Sequence, residues 1–236
     1  MLIPITEIFG PTIQGEGPNV GIKTLFVRVA GCDFNCSWCD SKFAWKVNEN
    51  TNKYTSDSLA NKVLKLCKET NTNHVILTGG NPCLYNFEEF INILIVNNVT
   101  VDIETQGSIL PNWLDKCSTV VISPKAPSSK QKDVIGTIIN WLTYTKCSNI
   151  VIKIPVFNNE DFEFAHKYYE LVINNYKNVK LYLSVGNTDT SESGDISTRV
   201  LNDYKTLINT VMQSDMKDVY VLPQVHTLVW GNKQGV

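Results

Sequence analysis

The sequence predicts a single α/β domain built on a mainly parallel sheet, closed or partly closed. Three observations carry this. Short apolar runs alternate along the chain with longer segments of helical spacing, the pattern of strands joined by crossovers. At 236 residues the chain suits one large α/β unit, and no repeat, low-complexity tract or linker divides it, so residues 1–236 read as one domain. Nearly every glycine-rich or polar signature also follows directly on an apolar run, and the C-terminal ends of parallel strands converge on one face, where sites are built.

The elements follow in order. Residues 12–18 (Thr12-Ile13-Gln14-Gly15-Glu16-Gly17-Pro18) read as a glycine-rich turn before the first strand, the apolar run Leu25-Phe26-Val27-Arg28-Val29-Ala30 ending at Gly31. Three cysteines come next, and residues 46–53 form a polar, asparagine-rich connection. Thr55 or Ser56 caps a helix carrying Leu59, Val63, Leu64 and Leu66 or Cys67 at helical spacing. A strand at 74–78 ends in Gly79-Gly80, a helix spans 87–95, and a strand at 99–103 ends in Glu104-Thr105-Gln106-Gly107. Trp113 and Leu114 lie in a short connection. A strand at 119–122 ends in Ser123-Pro124-Lys125, and a helix over 134–142 leads to a strand at 150–154. Asn159-Glu160-Asp161 opens a long helix to about residue 174, a strand covers 181–185, and a helix near 198–212 leads to the last strand at 219–222.

Composition excludes several classes. The chain is 43% hydrophobic and 19% charged, with 21 Lys+Arg against 23 Asp+Glu, which suits a sizeable core and offers no electrostatic footprint for nucleic acid or an anionic membrane. No secretory signal or membrane span is recognisable, because the most apolar stretch, 91–101, is broken by Asn97, Asn98 and Thr100. A cytoplasmic protein is expected. Seven cysteines, an odd number, argue for reduced thiols rather than a disulfide framework, and Cys67, Cys83, Cys117 and Cys147 read as small buried hydrophobes.

The motif Cys32-Asp33-Phe34-Asn35-Cys36-Ser37-Trp38-Cys39 has the spacing C-x3-C-x2-C. Thiolates bind zinc or iron, and a closed zinc site wants four ligands. Three cysteines on a 4Fe–4S cluster leave one iron open to a small molecule. A zinc knot completed by Asp40 or a distant cysteine is the rival, but closed zinc sites usually come as paired sets that this chain lacks. Gly79-Gly80-Asn81-Pro82 is not a phosphate loop, since it lacks the lysine and hydroxyl residue. Helices cover both faces of most parallel sheets, so Arg28 inside an apolar strand needs an anionic partner, and its planar fork suits a carboxylate. Internal ion pairing is its alternative. His226 follows the last strand on the active face, whereas His74 and His166 read as surface or packing residues. Glu104 is placed to move a proton or to make a structural ion pair. Trp38 packs or shields the cysteine loop, and Trp230 reads as core or interface.

The cysteine spacing after a first strand resembles the cluster loop of the radical S-adenosylmethionine (SAM) superfamily. Gly79-Gly80-Asn81-Pro82 resembles its second signature, with Asn81 where glutamate is commoner; asparagine keeps a carbonyl acceptor for the SAM ammonium but loses a charge. Together with Gln14-Gly15-Glu16-Gly17, Phe26-Val27-Arg28, Asp40-Ser41, Glu104-Thr105-Gln106-Gly107, Ser123-Pro124-Lys125 and the ending 223–236, the chain resembles the 7-carboxy-7-deazaguanine synthase family from about residue 5 to the end.

That resemblance implies a shortened TIM-like radical SAM barrel, active as a homodimer and served by an electron donor such as flavodoxin or ferredoxin. The implied reaction converts 6-carboxy-5,6,7,8-tetrahydropterin to 7-carboxy-7-deazaguanine. A radical derived from SAM takes hydrogen from C6, the ring contracts, ammonia leaves and SAM is regenerated. By position, Cys32, Cys36 and Cys39 hold the cluster, and Trp38, Asp40, Gly80, Asn81, Ser123, Pro124, Lys125 and Asn187 line SAM. Gln14, Gly15, Glu16, Arg28, Thr78, His226 and the terminal carboxylate of Val236 hold the pterin. Ser41 resembles the hydroxyl ligand of a Mg2+ ion. Glu104 and His226 are the expected catalytic residues. Another radical SAM enzyme, such as a glycyl-radical-enzyme activase, and a zinc-stabilised interaction module are the alternatives.

Overall fold

The computed structural model describes residues 2–49, 51–187, 195–233 and 235. Among them a nine-stranded sheet has the order β3-β1-β2-β4-β5-β6-β7-β8-β9. Its parallel part comprises β2 (Lys23–Val29), β4 (His74–Gly79), β5 (Thr100–Thr105), β6 (Thr119–Ile122), β7 (Ile150–Pro155), β8 (Val179–Ser184) and β9 (Val219–Leu222). β1 (Ile3–Ile13) runs antiparallel to β2, and β3 (Asn52–Tyr54) antiparallel to β1. The sheet is open, with β3 and β9 at its edges. The helices are α1 (Ser56–Thr70), α2 (Glu88–Val96), α3 (Ile135–Leu142), α4 (Asn159–Tyr168, prolonged by a π turn over Tyr169–Ile173), α5 (Ser197–Gln213) and α6 (Val225–Trp230). None of the described helices is long and apolar enough to cross a membrane.

Side-chain alternation along each strand divides the sheet into two unlike faces. Val27, Leu77, Ile103, Ile122, Ile152 and Leu183 face one way and join Leu59 and Val63 of α1, Phe90 and Leu94 of α2, Ile138 and Trp141 of α3, Phe162 and Tyr168 of α4, and Val200 and Leu207 of α5 in one large apolar core. On the other face Val121, Val151 and Tyr182, with Leu222 against them, make a small apolar cluster, and Phe26 stacks on Phe9 at 4.8 Å. The expectation of helices on both faces is corrected for α1 to α5, which bury their apolar residues on one. The opposite face carries Arg28 beside Thr78 and Thr78 bonded to Glu104, with Asp102 nearer the N-terminal ends of the strands and Lys153 nearer their C-terminal ends.

Local chemistry explains the helix starts. Thr55 accepts a hydrogen bond from the Ser58 N–H at 3.2 Å at the head of α1, and Asn158 accepts one from the Asp161 N–H at 2.9 Å at the head of α4. The sequence reading missed three elements. β1 was hidden because its register with β2 shifts between Ile5 and Glu7 and again between Phe9 and Thr12, and such irregularity breaks period-two patterning. β3 is three polar residues long, and α6 lies in what read as a tail.

Candidate active site

A cavity of about 360 Å³ opens at the C-terminal ends of the parallel strands, on the face away from α1 to α5, with His226 and Thr227 of α6 in its wall. Its size is that of a small-molecule site. Cys32, Cys36, Cys39, Trp38 and Lys125 line it, as do Gln14, Glu16, Arg28, Thr78, Glu104, Lys153 and His226. One hollow thus joins the thiols to a charged floor.

The cysteine loop is fixed by its backbone. Gly31 N–H donates to the Ala44 carbonyl at 2.8 Å, Cys32 N–H to Trp45 at 3.0 Å, and Ser37 N–H to Ser129 at 3.1 Å. The sulfurs accept N–H groups as well: Phe34 N–H reaches Cys32 Sγ at 3.4 Å, and Trp45 Nε1–H reaches Cys39 Sγ at 3.2 Å. Burial pushes all three thiols above their ordinary range, Cys36 to about 11, while the Lys125 ammonium opposes it. Metal binding here must therefore expel protons. All seven cysteines are free, with Cys67, Cys83, Cys117 and Cys147 buried as expected. Among the described residues no three His, Cys, Asp or Glu side chains converge on a single ion. A mononuclear zinc site needs that convergence, whereas a 4Fe–4S cluster takes each thiolate on a different iron, so the loop fits the cluster.

Beside it, Gly79 and Gly80 press against the first parallel strand. Gly79 has φ +126°, and a Cβ at Gly80 would lie 2.0 Å from the Gly31 carbonyl oxygen. Only glycine allows this approach. Asn81 does not face the cavity. It is fully buried, its amide donating to Asp33 at 2.9 Å and to Ser108 at 3.2 Å while its oxygen accepts from Cys83 N–H and the Thr105 hydroxyl at 3.1 and 2.9 Å. In this structure the carbonyl oxygen expected to meet a ligand ammonium accepts from two donors within the chain. Lys125 Nζ donates to Ser123 Oγ at 2.9 Å and stands 5.8 Å from the Trp38 ring centroid. Trp38 Nε1–H donates to Ser128 Oγ at 3.0 Å, and its ring meets Phe157 at 4.9 Å. Asn187 N–H donates to Gln224 Oε1 at 3.2 Å at the cavity rim. Pro124 is not part of the wall, and Val236 lies outside the described residues.

The floor is a charged network. Glu104 accepts from Thr78 Oγ1 at 3.0 Å, Gln14 Nε2 at 3.2 Å and Lys153 Nζ at 3.3 Å. Lys153 also pairs with Glu16, which accepts from Gln224 Nε2 at 2.6 Å and has His226 Nε2 at 3.9 Å. Burial raises the Glu16 carboxyl, but Lys153, His226 and the hydrogen bonds from Lys153 and Gln224 together outweigh it and hold it at about 2. Burial likewise opposes the Lys153 ammonium, and Glu104 with Glu16 overcomes it, lifting Lys153 well above the usual lysine value. Gly15 acts by being small, because a Cβ there would lie 2.4 Å from His226 Nδ1.

Arg28 makes the internal ion pair and also lines the cavity. Its Nε donates to Glu7 Oε1 at 2.7 Å and its Nη1 to Ser41 Oγ at 3.0 Å, and its guanidinium lies 5.3 Å from the Phe9 ring and 5.7 Å from that of Phe43. Ser41 in turn donates to Asp40 Oδ1 at 2.9 Å. His74 is a buried network residue, with Asp102 and Thr24 each at 2.9 Å, and His166 pairs with Asp215 at 2.8 Å near the surface. Trp230 is 37% exposed, which removes the core alternative from its reading as core or interface. Sequence reasoning missed Lys153, Gln224 and Glu7. A signal for Lys153 existed: it is a lone cation in the run Ile150-Val151-Ile152-Lys153-Ile154, the same anomaly that singled out Arg28.

Residues 13–109 match the 4Fe-4S single cluster domain family. The 7-carboxy-7-deazaguanine synthase of Bacillus cereus is 41% identical over 99% of both chains. That of Bacillus subtilis is 39% identical over 99% of this chain and 98% of its own. Among solved structures, QueE from Escherichia coli superposes with a TM-score of 0.71 over 95% of both chains at 22% identity. Streptococcus suis SuiB bound to S-adenosylmethionine gives 0.54 over 84% of this chain and 49% of its own at 16% identity. At those identities the two structures speak for the fold alone.

Proposed function

The chain belongs to the 7-carboxy-7-deazaguanine synthase family, and from that premise we propose that it is a radical SAM lyase converting 6-carboxy-5,6,7,8-tetrahydropterin to 7-carboxy-7-deazaguanine with loss of ammonia. We read it as a cytoplasmic homodimer reduced by a small redox protein such as flavodoxin or ferredoxin. The observation that carries this reading is the sharing of one cavity by the three-cysteine loop and a floor of Arg28, Glu16, Glu104 and Lys153.

Cys32, Cys36 and Cys39 would hold the cluster, with Lys125 offsetting thiolate charge, and Trp38, Asp40, Gly80, Ser123, Lys125 and Asn187 would border SAM. When bound, the cluster and SAM supply a carbon radical able to take hydrogen from a C–H bond. The chain's own residues position the substrate for it. Glu7 takes Arg28 Nε, leaving the terminal nitrogens for Ser41 and for the substrate carboxylate. Glu16 and Glu104 accept N–H groups of the pterin ring, Thr78 and Gln14 steady Glu104, and Gly15 lets His226 approach. His226 and Glu104 stand where protons must move as the amine departs. Ser41 and Asp40 offer hard oxygens to Mg2+, whose remaining positions water and substrate would fill. The ion would have to displace Arg28 from the Ser41 oxygen.

The test is a product assay. Anaerobically reconstituted enzyme, given SAM, a reductant, Mg2+ and the carboxytetrahydropterin, forms carboxydeazaguanine. Well-loaded enzyme that forms none would overturn the assignment.

A further inference from the structure

Lys153 is the cation on which the cavity floor turns. It stands in the apolar strand β7 with its side chain only 8% exposed, between Glu16 from the loop after β1 and Glu104 from β5. Gln14 bridges the same two residues, donating to Glu104 and accepting from Glu16 N–H at 3.2 Å. Gln224 and Thr78 add further donors from the protein side. Lys153, Gln14, Gln224 and Thr78 each donate to one of these two carboxylates, and the oxygen capacity the carboxylates keep toward the cavity can only accept. An ionised carboxylate has no donor to offer a ligand.

We propose that Lys153 is a positioning residue that keeps the Glu16 and Glu104 pair ionised and acceptor-only, and thereby sets specificity for ligands presenting adjacent N–H donors to that pair. This deepens the pterin reading above and rests on it. A 2-amino-4-oxopyrimidine edge brings an amine and a ring N–H side by side. Its 2,4-dioxo isostere replaces the amine with an oxygen that would face carboxylate oxygens, a mismatch that discriminates strongly in a dry site. Without the ammonium, two carboxylates face each other in a buried setting, and the burial already acting on Glu16 favours a protonated carboxyl, which can donate. The groups facing Lys153 are Glu16 with His226 behind it, Glu104, Lys125, and Tyr182 in register on β8. All persist in a Lys153 variant, so a change in its pH profile belongs to the lost ammonium.

The experiment measures equilibrium binding of 6-carboxypterin and of 6-carboxylumazine, its 2-oxo isostere, to cluster-loaded enzyme at about pH 6 and about pH 8. The unaltered enzyme prefers the pterin by roughly a hundredfold at both. Lys153→Met lowers that preference by about tenfold or more, further at the lower pH, while Lys153→Arg keeps it. Lys153→Gln carries the test if the methionine variant does not fold. A folded, cluster-loaded neutral variant with unchanged preference at both pH values would overturn the role of Lys153 and leave the pterin reading standing. Failure of the unaltered enzyme to bind the pterin, or to prefer it, would overturn both.

Discussion

Two buried polar clusters share the face of the sheet away from α1 to α5, and their difference separates chemistry from architecture. The upper one, Lys153 with Glu16 and Glu104, sits at the strands' C-terminal ends and lines the cavity. The lower one lies at the opposite ends of the strands: His74 bonds to Asp102 and Thr24 at 2.9 Å each, and Asn19 donates to Asp102. His74, Asp102 and Thr24 are at most 6% exposed, and none of them borders the cavity. The upper cluster pairs its buried carboxylates with donors, whereas in the lower one His74 and Asn19 both bond to Asp102 Oδ2 and leave Oδ1 buried without a partner. Only the upper one leaves oxygen capacity facing a space that a ligand could fill.

If this division is right, damage to each cluster should be felt in a different measurement. His74→Ala leaves Asp102 short of a partner and opens a void, and should cost about 3–4 kcal/mol in denaturant unfolding while pterin affinity of the folded enzyme stays within about twofold. A comparable loss of affinity would erase the distinction. Glu16→Gln should differ from His74→Ala by weakening pterin binding, in addition to a stability effect confined to its own titration. Its folded-state carboxyl is depressed from 4.5 to about 2, so its stabilisation is fully present above pH 4.5 and is lost as pH falls through 2. That contribution, up to about 3 kcal/mol, disappears in the glutamine variant, whose unfolding free energy should fall less steeply over this window; an unaltered acid limb would contradict it.

The sequence exposed the fold through features that need no partner. Alternating apolar runs placed the seven parallel strands and five of the six helices, because buried parallel strands are apolar throughout and amphipathic helices keep their period. What escaped depends on distant contacts. β1 pairs across two register shifts, and β3 exists only because β1 offers it an edge. In the site, Cys32, Cys36, Cys39 and Gly80 were readable because spacing and backbone constraint are local. The buried hydrogen bonds of Asn81 were not legible because its partners, Asp33, Ser108 and Thr105, lie far off in sequence. Glu7 was invisible until β1 was known to lie beside Arg28, and Lys153 acquired meaning only once the fold brought Glu16 and Glu104 to it.

A smaller effect sharpens the rim of the upper region. Ser41→Ala removes a hard oxygen and the acceptor of an Arg28 hydrogen bond, and should raise the Mg2+ concentration for half-maximal activity by roughly fivefold, about 1 kcal/mol. An unchanged Mg2+ response would remove Ser41 from any metal role.

The central claim is that the face away from α1 to α5 seats a carboxylated, N–H-rich heterocycle with Arg28 on its carboxylate. A binding cycle tests it most directly: 6-carboxypterin and pterin, with and without Arg28→Ala. In the unaltered enzyme the carboxylate should strengthen binding by about tenfold or more, and in Arg28→Ala the two ligands should bind alike. A carboxylate advantage that survives the loss of Arg28 would contradict the account.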